Sequence, residues 1–189
     1  QKFKEKGIFI IFDEVMTGFG RCGTNFALNQ IGFEPDFLCL SKGITGGFLP
    51  LALTVTTEQV YSGFLSDKWG HALAHGHTYT ANPIACRAAI ESLKLLRNQT
   101  TADSIKSINI AHNEGINNLK AICDIIKPRV LGTIAAFETN GKNEEVAKKL
   151  LEIGLFIRPL GQTIYLLPPY SITSEELSYT YEQIGLAIR

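Results

Sequence analysis

Residues 7–47 read GIFIIFDEVMTGFGRCGTNFALNQIGFEPDFLCLSKGITGG, and the fold turns on two short apolar runs inside them, residues 8–12 and 37–40. Both runs are continuous rather than alternating, the pattern of parallel strands covered on both faces. Each leads into charge: Asp13 and Glu14 follow the first, Ser41 and then Lys42 follow the second. Ligands of open α/β sheets bind outside the carboxyl ends of the strands, so the two strands would deliver an acid and an amine to one crevice. A lysine in partly dry surroundings can attack a carbonyl as the free amine. A carboxylate nearby can keep a heterocyclic nitrogen protonated and so make its ring an electron sink. The pair points to pyridoxal phosphate; the plainer alternative is an Asp13 that caps a turn and a Lys42 that is solvated.

The bulk numbers set outer bounds. The 189 residues carry 18 basic and 18 acidic side chains for a net charge of +0, and 45% are hydrophobic. That balance is ordinary for a folded chain and argues against a nucleic-acid partner, which favours a clustered basic face. No uninterrupted apolar segment is long enough to span a bilayer. Cys22, Cys39, Cys86 and Cys123 are far apart with no CxxC pair, as expected of reduced thiols in a cytoplasmic protein. The opening QKFKEK reads as the last turn of a helix, with cations at its carboxyl end and Gly7 just beyond it. A chain that opens inside an element, without an initiator Met, reads as a piece of a longer polypeptide.

Further along, Gly18-Phe19-Gly20-Arg21-Cys22-Gly23 fits GxGxxG. A dinucleotide loop requires a helix directly after the glycines and an acid at the end of the next strand, whereas the next strand here ends in Ser41-Lys42. The preferred reading is a glycine-rich turn that shapes a pocket, with a nicotinamide-binding module as the rival. Residues 49–55 form a third apolar run of undetermined direction, and Thr56 with Gln59 makes a capping box for a helix to about Leu65. Residues 69–82, WGHALAHGHTYTAN, read as a loop. His71, His75 and His77 raise the question of zinc, but no HExxH, cysteine or carboxylate cluster accompanies them, so no metal is expected. Hydroxyls and backbone N–H groups there could hold a phosphate instead, with Thr78 and Thr80 as candidates.

Asn82-Pro83 is a helix start, and the helix runs to about Arg97. The polar stretch 98–102 marks the domain boundary, giving domains 1–98 and 99–189. In the second, a long helix carries Ile105, Ile108, Ile116, Leu119 and Ile122 on one stripe, interrupted by Gly115. Residues 129–138, 155–158 and 164–167 read as strands, 144–153 and 174–188 as helices, the last with a Thr173–Glu176 capping box. The expected class is α/β, a part of a large mixed-sheet domain followed by a smaller α+β domain.

Four stretches occur in order, IIFDEVMTGFGR, LSKGITGGFLPLALT, HGHTYTANPIAC and FIRPLGQTIYLLPP, and together they resemble the fold-type I, class III pyridoxal phosphate-dependent aminotransferases. The likeness covers nearly the whole chain. It implies that Lys42 is the catalytic, cofactor-bearing lysine, that Asp13 pairs with the pyridine nitrogen, and that His77 and Thr78 contact the phosphate, in this family that of the neighbouring subunit of a homodimer. It further implies that Gly76 offers a backbone contact to substrate and that Arg158 receives the substrate carboxylate, with Arg21 and Tyr165 bordering the pocket. By the resemblance of its segment IRPLGQTIYLLPP, the chain is similar to the biotin-pathway branch of that family, which implies S-adenosylmethionine as amino donor and 8-amino-7-oxononanoate as acceptor; another ω-amino acid aminotransferase, or a non-catalytic fragment of one, is the alternative. The family's glycine-serine phosphate loop and the aromatic ring stacked on the cofactor lie upstream of Gln1, so the 189 residues by themselves are expected to be inactive.

Overall fold

The computed structural model describes residues 2–189, and it divides into two compact units. The first takes the chain to Phe19 and again from Thr24 to Asn98; the second holds Gly20–Gly23 together with Gln99–Arg189. The excursion at residues 20–23 has no counterpart in a division that keeps 1–98 together.

In the first unit, a 3-10 turn at Lys4–Lys6 is closed by Gly7 in the left-handed conformation, φ +70°. That agrees with a helix end before Gly7; Gln1 lies outside the described residues. Three strands follow, β1 (Ile11–Asp13), β2 (Phe37–Leu40) and β3 (Leu53–Thr56), with a four-residue helix α1 (Leu28–Ile31) between the first two. β1 runs parallel to β2 and β3 antiparallel to it, so the sheet is mixed. Asp36 ties all three: its carboxylate accepts from Ile10 N at 2.8 Å, and its carbonyl accepts from Thr56 Oγ1 at 2.8 Å. The apolar run of residues 8–12 overstates the first strand, and Ile11 remains 63% exposed, so β1 is not covered on both faces as its sequence predicts. The third strand likewise starts at Leu53 rather than residue 49.

Helix α2 (Glu58–Ser62) is capped one residue later than the sequence reading has it: Thr57, not Thr56, accepts from Val60 N. Thr56 spends its hydroxyl on Asp36. Helix α3 (Pro83–Leu96) begins as predicted, the Asn82 side chain accepting from Ile84 N and Ala85 N and Pro83 standing where no N–H is needed. Its small residues Ala85 and Ala89 are buried, and a compact core forms from Phe19, Leu40, Ile44 and Ala89 with Leu38, Leu51 and Leu93 against it.

The second unit is an antiparallel meander, β4 (Ile126–Leu131), β5 (Ile134–Glu138) and β6 (Thr163–Leu166), with helices α4 (Gln99–Ile122), α5 (Asn143–Glu152) and α6 (Ser174–Ile188). The single strand predicted over 129–138 is two strands joined by a tight turn at Gly132 and Thr133. Residues 155–158 do not form the predicted strand. Leu155 and Ile157 pack on the core while Phe156 and Arg158 stay exposed; that alternation mimics a strand, yet Gly154 at φ +84° breaks the chain before it and no ladder forms. The Thr173–Glu176 capping box is present, with bonds of 3.1 and 2.9 Å.

Helix α4 passes Gly115 without interruption. The glycine makes room instead of a kink, since a Cβ there would lie 2.1 Å from the Tyr181 ring of α6. Ile105, Ile108, Ile116 and Leu119 are buried along its stripe, but Ile122 is 50% exposed where the helix leaves the core. His112 also sits on the buried face, fully enclosed. Its Nε2–H donates to Thr133 O at 3.2 Å and its Nδ1 accepts from Tyr181 Oη at 2.8 Å, which uses the one donor and one acceptor of the neutral ring. Burial holds the imidazole down to about 4.

That shift sets a pH dependence. The unfolded chain takes a proton on His112 near pH 6.5 while the folded chain resists until about 4, so stability falls as pH drops through that window and the loss is complete below it. The protein should be about 2 kcal/mol less stable to urea at pH 5 than at pH 7 through this group. His112→Gln should show a flatter profile over the same range.

Candidate active site

Parallel pairing sets Asp13 beside Cys39, and Ser41 and Lys42 follow two and three residues on, so the acid and the amine leave the sheet at one end. The two neighbouring acids have separate fates. Glu14 is 2% exposed: its Oε1 accepts from Leu28 N at 2.7 Å, and its Oε2 from Ala27 N at 2.9 Å and Thr17 Oγ1 at 2.8 Å. It closes the loop between residues 14 and 28, and its burial behind those three donors keeps it from solvent. Asp13 is exposed, with Oδ1 accepting from Val15 N at 3.0 Å and Oδ2 without a protein partner among the described residues. Both parts of the plainer alternative are present, Asp13 capping a turn through Oδ1 and Lys42 exposed, and together they leave Oδ2 and the amine without a protein partner among the described residues.

Lys42 opens a short 3-10 turn, Lys42–Thr45, with φ +46°, a conformation that costs a non-glycine residue of order 1–3 kcal/mol. Its neighbours hold it there. Ser41 Oγ donates to Leu51 O at 2.8 Å, and Gly43 O accepts from Ser92 Oγ of α3 at 3.1 Å. A Cβ on Gly43 would meet the Phe19 side chain at 2.8 Å, so only glycine allows the aromatic ring to brace the turn. The Lys42 amine is exposed and makes no ion pair or hydrogen bond among the described residues.

A cleft of about 810 Å³ in the same unit is lined by Ser41, Leu51, Gly76, His77, Thr80 and Asn82, among others. Gly76 and His77 therefore share a cleft with the residue before Lys42. Thr78 is exposed and lies outside the lining; of the two threonine candidates Thr80 is the one on the cleft, and its hydroxyl accepts from His77 N at 2.9 Å. His77 Nδ1 accepts from Tyr79 N at 3.1 Å, which leaves Nε2 as the ring's donor. Residues 69–82 hold turns and one short 3-10 segment, Trp69–His71, and among the described residues no three His, Cys, Asp or Glu side chains gather as a metal site.

Arg158 belongs to the second unit, where it lines a cleft of about 570 Å³ with Phe156, Tyr165, Leu166, Leu167 and Pro168. Its guanidinium has no ion pair among the described residues, the one cation of a lining otherwise dominated by aliphatic, aromatic and proline side chains. Such a cleft suits a carboxylate carried on an apolar chain. Arg21 is not on it: Nη1 donates to Thr133 Oγ1 at 2.9 Å and to Pro168 O at 2.8 Å, and the guanidinium stacks on Tyr170 at 4.9 Å. Burial pushes the Tyr170 phenol up. The dinucleotide reading of residues 18–23 fails on the same facts, since no helix follows until Leu28 and Gly20 and Cys22 are buried.

Comparison with known proteins shows the family and the fold. The aminotransferase class-III family model matches residues 2–188. The chain is 44% identical over 187 residues to the adenosylmethionine-8-amino-7-oxononanoate aminotransferase of Synechococcus elongatus, covering 95% of this chain and 44% of that protein. It is 42% identical to the enzyme of the same description from Helicobacter pylori, covering 92% and 42%. Among solved structures, the Methanocaldococcus jannaschii enzyme of that description superimposes with a TM-score of 0.87 at 36% identity, over 98% of this chain and 47% of that one. The chain spans less than half the length of the curated relatives it matches.

The division of labour between the two acids has a measurable consequence. Glu14→Ala strands the Ala27 and Leu28 N–H groups and should cost about 2–4 kcal/mol in urea unfolding, whereas Asp13→Asn at an exposed site should stay within about 0.5 kcal/mol of the parent.

Proposed function

The chain belongs to the class-III aminotransferases, and from that premise we propose that its protein transfers an amino group with pyridoxal phosphate as cofactor, S-adenosylmethionine as donor and 8-amino-7-oxononanoate as acceptor. The observation that carries the reading is the free Lys42 amine set at the same sheet end as the open oxygen of Asp13. The substrate pair draws its support from relatives described by that reaction at 42–44% identity. It also draws on an unpaired Arg158 in an apolar cleft, the chemistry a long-chain amino-oxo acid needs at its carboxylate end.

The residues fit the cofactor: an unpartnered amine to hold it, an acid with one oxygen free, and a glycine- and hydroxyl-bearing loop around the cleft beside Ser41. Bound there, pyridoxal phosphate would supply the electron sink for charge left on the substrate carbon. Lys42 takes the proton from that carbon and returns it, as a positioned general base and acid. Asp13 keeps the ring nitrogen protonated by placing a negative charge beside it. Gly76 offers backbone to substrate, and His77 and Thr78 reach the phosphate in a homodimer's neighbouring subunit. Arg158 orients the acceptor by a two-pronged hold on its carboxylate. The protein works in the cytoplasm, in biotin synthesis. Because the chain spans 44% of the relative's length, the 189 residues alone bind the cofactor weakly and do not turn over.

Borohydride treatment of the complete, cofactor-loaded protein should fix the cofactor covalently on Lys42, as located by peptide mapping. Lys42→Ala should lose both the fixed label and at least about a thousandfold in turnover. Turnover that survives this substitution would refute the assignment.

A further inference from the structure

We propose that Thr133 is a positioning residue for the Arg158 cleft, acting through Arg21 on the Pro168 wall. The inference rests on the reading of that cleft as the acceptor's carboxylate end. Thr133 is fully buried in the two-residue turn between β4 and β5, far in sequence from anything it serves. Its backbone N–H and its hydroxyl both donate to Arg21 O, at 3.0 and 3.1 Å. The same hydroxyl oxygen accepts from Arg21 Nη1 at 2.9 Å, so one threonine grips the arginine by main chain and side chain at once. Arg21 Nη1 then reaches Pro168 O at 2.8 Å, and Pro168 lines the cleft with Arg158 and Tyr165.

The turn is itself fixed from behind. Asn109 Nδ2 donates to Gly132 O at 2.8 Å, and the buried His112 donates to Thr133 O. From the front, the 20–23 segment lies on it so closely that a Cβ on Gly132 would fall 2.2 Å from the Cys22 carbonyl carbon. Pro168 has no N–H, and its carbonyl lies just past the end of β6, where no ladder partner holds it among the described residues. The arginine supplies the missing restraint. Valine has the shape of threonine without the oxygen, so Thr133→Val removes the grip together with the hydroxyl's hydrogen bond to Tyr170; serine keeps both.

The test uses the complete protein with nonanoate, a plain carboxylate on an apolar chain, as the probe in calorimetric titration. Hydrogen exchange of residues 166–171 serves as the second readout. Thr133→Val should weaken nonanoate about tenfold and speed exchange at Leu166, Leu167, Tyr170 and Ser171 while α5 keeps its protection; Thr133→Ser should match the parent in both. Arg21→Lys, which keeps the charge but ends one bond short of the Nη1 that bonds both Thr133 and Pro168 and loses the planar group on Tyr170, should repeat the Thr133→Val result and stands in if that variant folds poorly. Unchanged affinity in Thr133→Val and Arg21→Lys, or equal losses in Thr133→Ser, would overturn the proposal. Nonanoate binding that survives Arg158→Ala would instead sink the reading of the cleft, and the exchange at residues 166–171 would then decide for or against the grip alone.

Discussion

The candidate site depends on one pairing, that of Ile11–Asp13 with Phe37–Leu40 in parallel. Parallel neighbours run out of the sheet at the same end, so the acid after one strand and the amine after the other share a rim. An antiparallel pair would have set them at opposite ends of the sheet. Register matters as much as direction, because side chains alternate between faces and a slip by one residue exchanges them. Here a slip would turn Glu14 toward the rim and Asp13 into the space where three donors now converge on a carboxylate. Asp36 guards against this by binding Ile10 N with its side chain and Thr56 with its carbonyl.

The energetics of the rim follow from that placement. Lys42 is held in the left-handed region at φ +46°, which ordinary lysines avoid. The strain is offset by neighbours: a serine on each side bonded to backbone, and an aromatic ring against Gly43. Since the lysine side chain takes no part in those bonds, the scaffold fixes where its Cα is and leaves the amine unspent. The two acids show the same economy, with Glu14 satisfied by the fold and Asp13 left partly open.

Much of this was legible in the sequence, for physical reasons that differ by element. Asn82-Pro83 and Thr173–Glu176 announce their helices because capping is local chemistry, read over four residues. The 37–40 strand was legible because its whole length is apolar and its end is charged. Errors arose where tertiary contact decides. Gly115 looks like a helix breaker until Tyr181 is seen against it, and residues 155–158 alternate like a strand although no strand among the described residues pairs with them. Thr56 and Thr57 are equal candidates for a cap in sequence; Asp36, twenty residues away, takes the hydroxyl of one and leaves the other for the helix. Among the site residues, Gly76, His77 and Arg158 line clefts and Lys42 follows the lining residue Ser41, whereas Asp13 and Thr78 lie outside both linings and Arg21 is committed to Thr133 and Pro168. No periodicity could have exposed the buried His112, since a lone histidine on an apolar stripe carries no sign of its partners.

The glycines at 20 and 23 show why spacing alone misleads. Both have positive φ, +96° and +95°, and Gly23 approaches Gly132 so nearly that an added Cβ would sit 3.2 Å from its Cα. A dinucleotide loop uses glycine so that backbone can approach a phosphate. These glycines let backbone approach backbone, because residues 20–23 leave the first compact unit and lie across the turn of the second. The same steric need for a missing side chain therefore produces the same spacing in two unrelated settings. What separates them is the residue between, for an arginine whose guanidinium and carbonyl both close on Thr133 belongs to a protein-to-protein crossing and has no anion to greet.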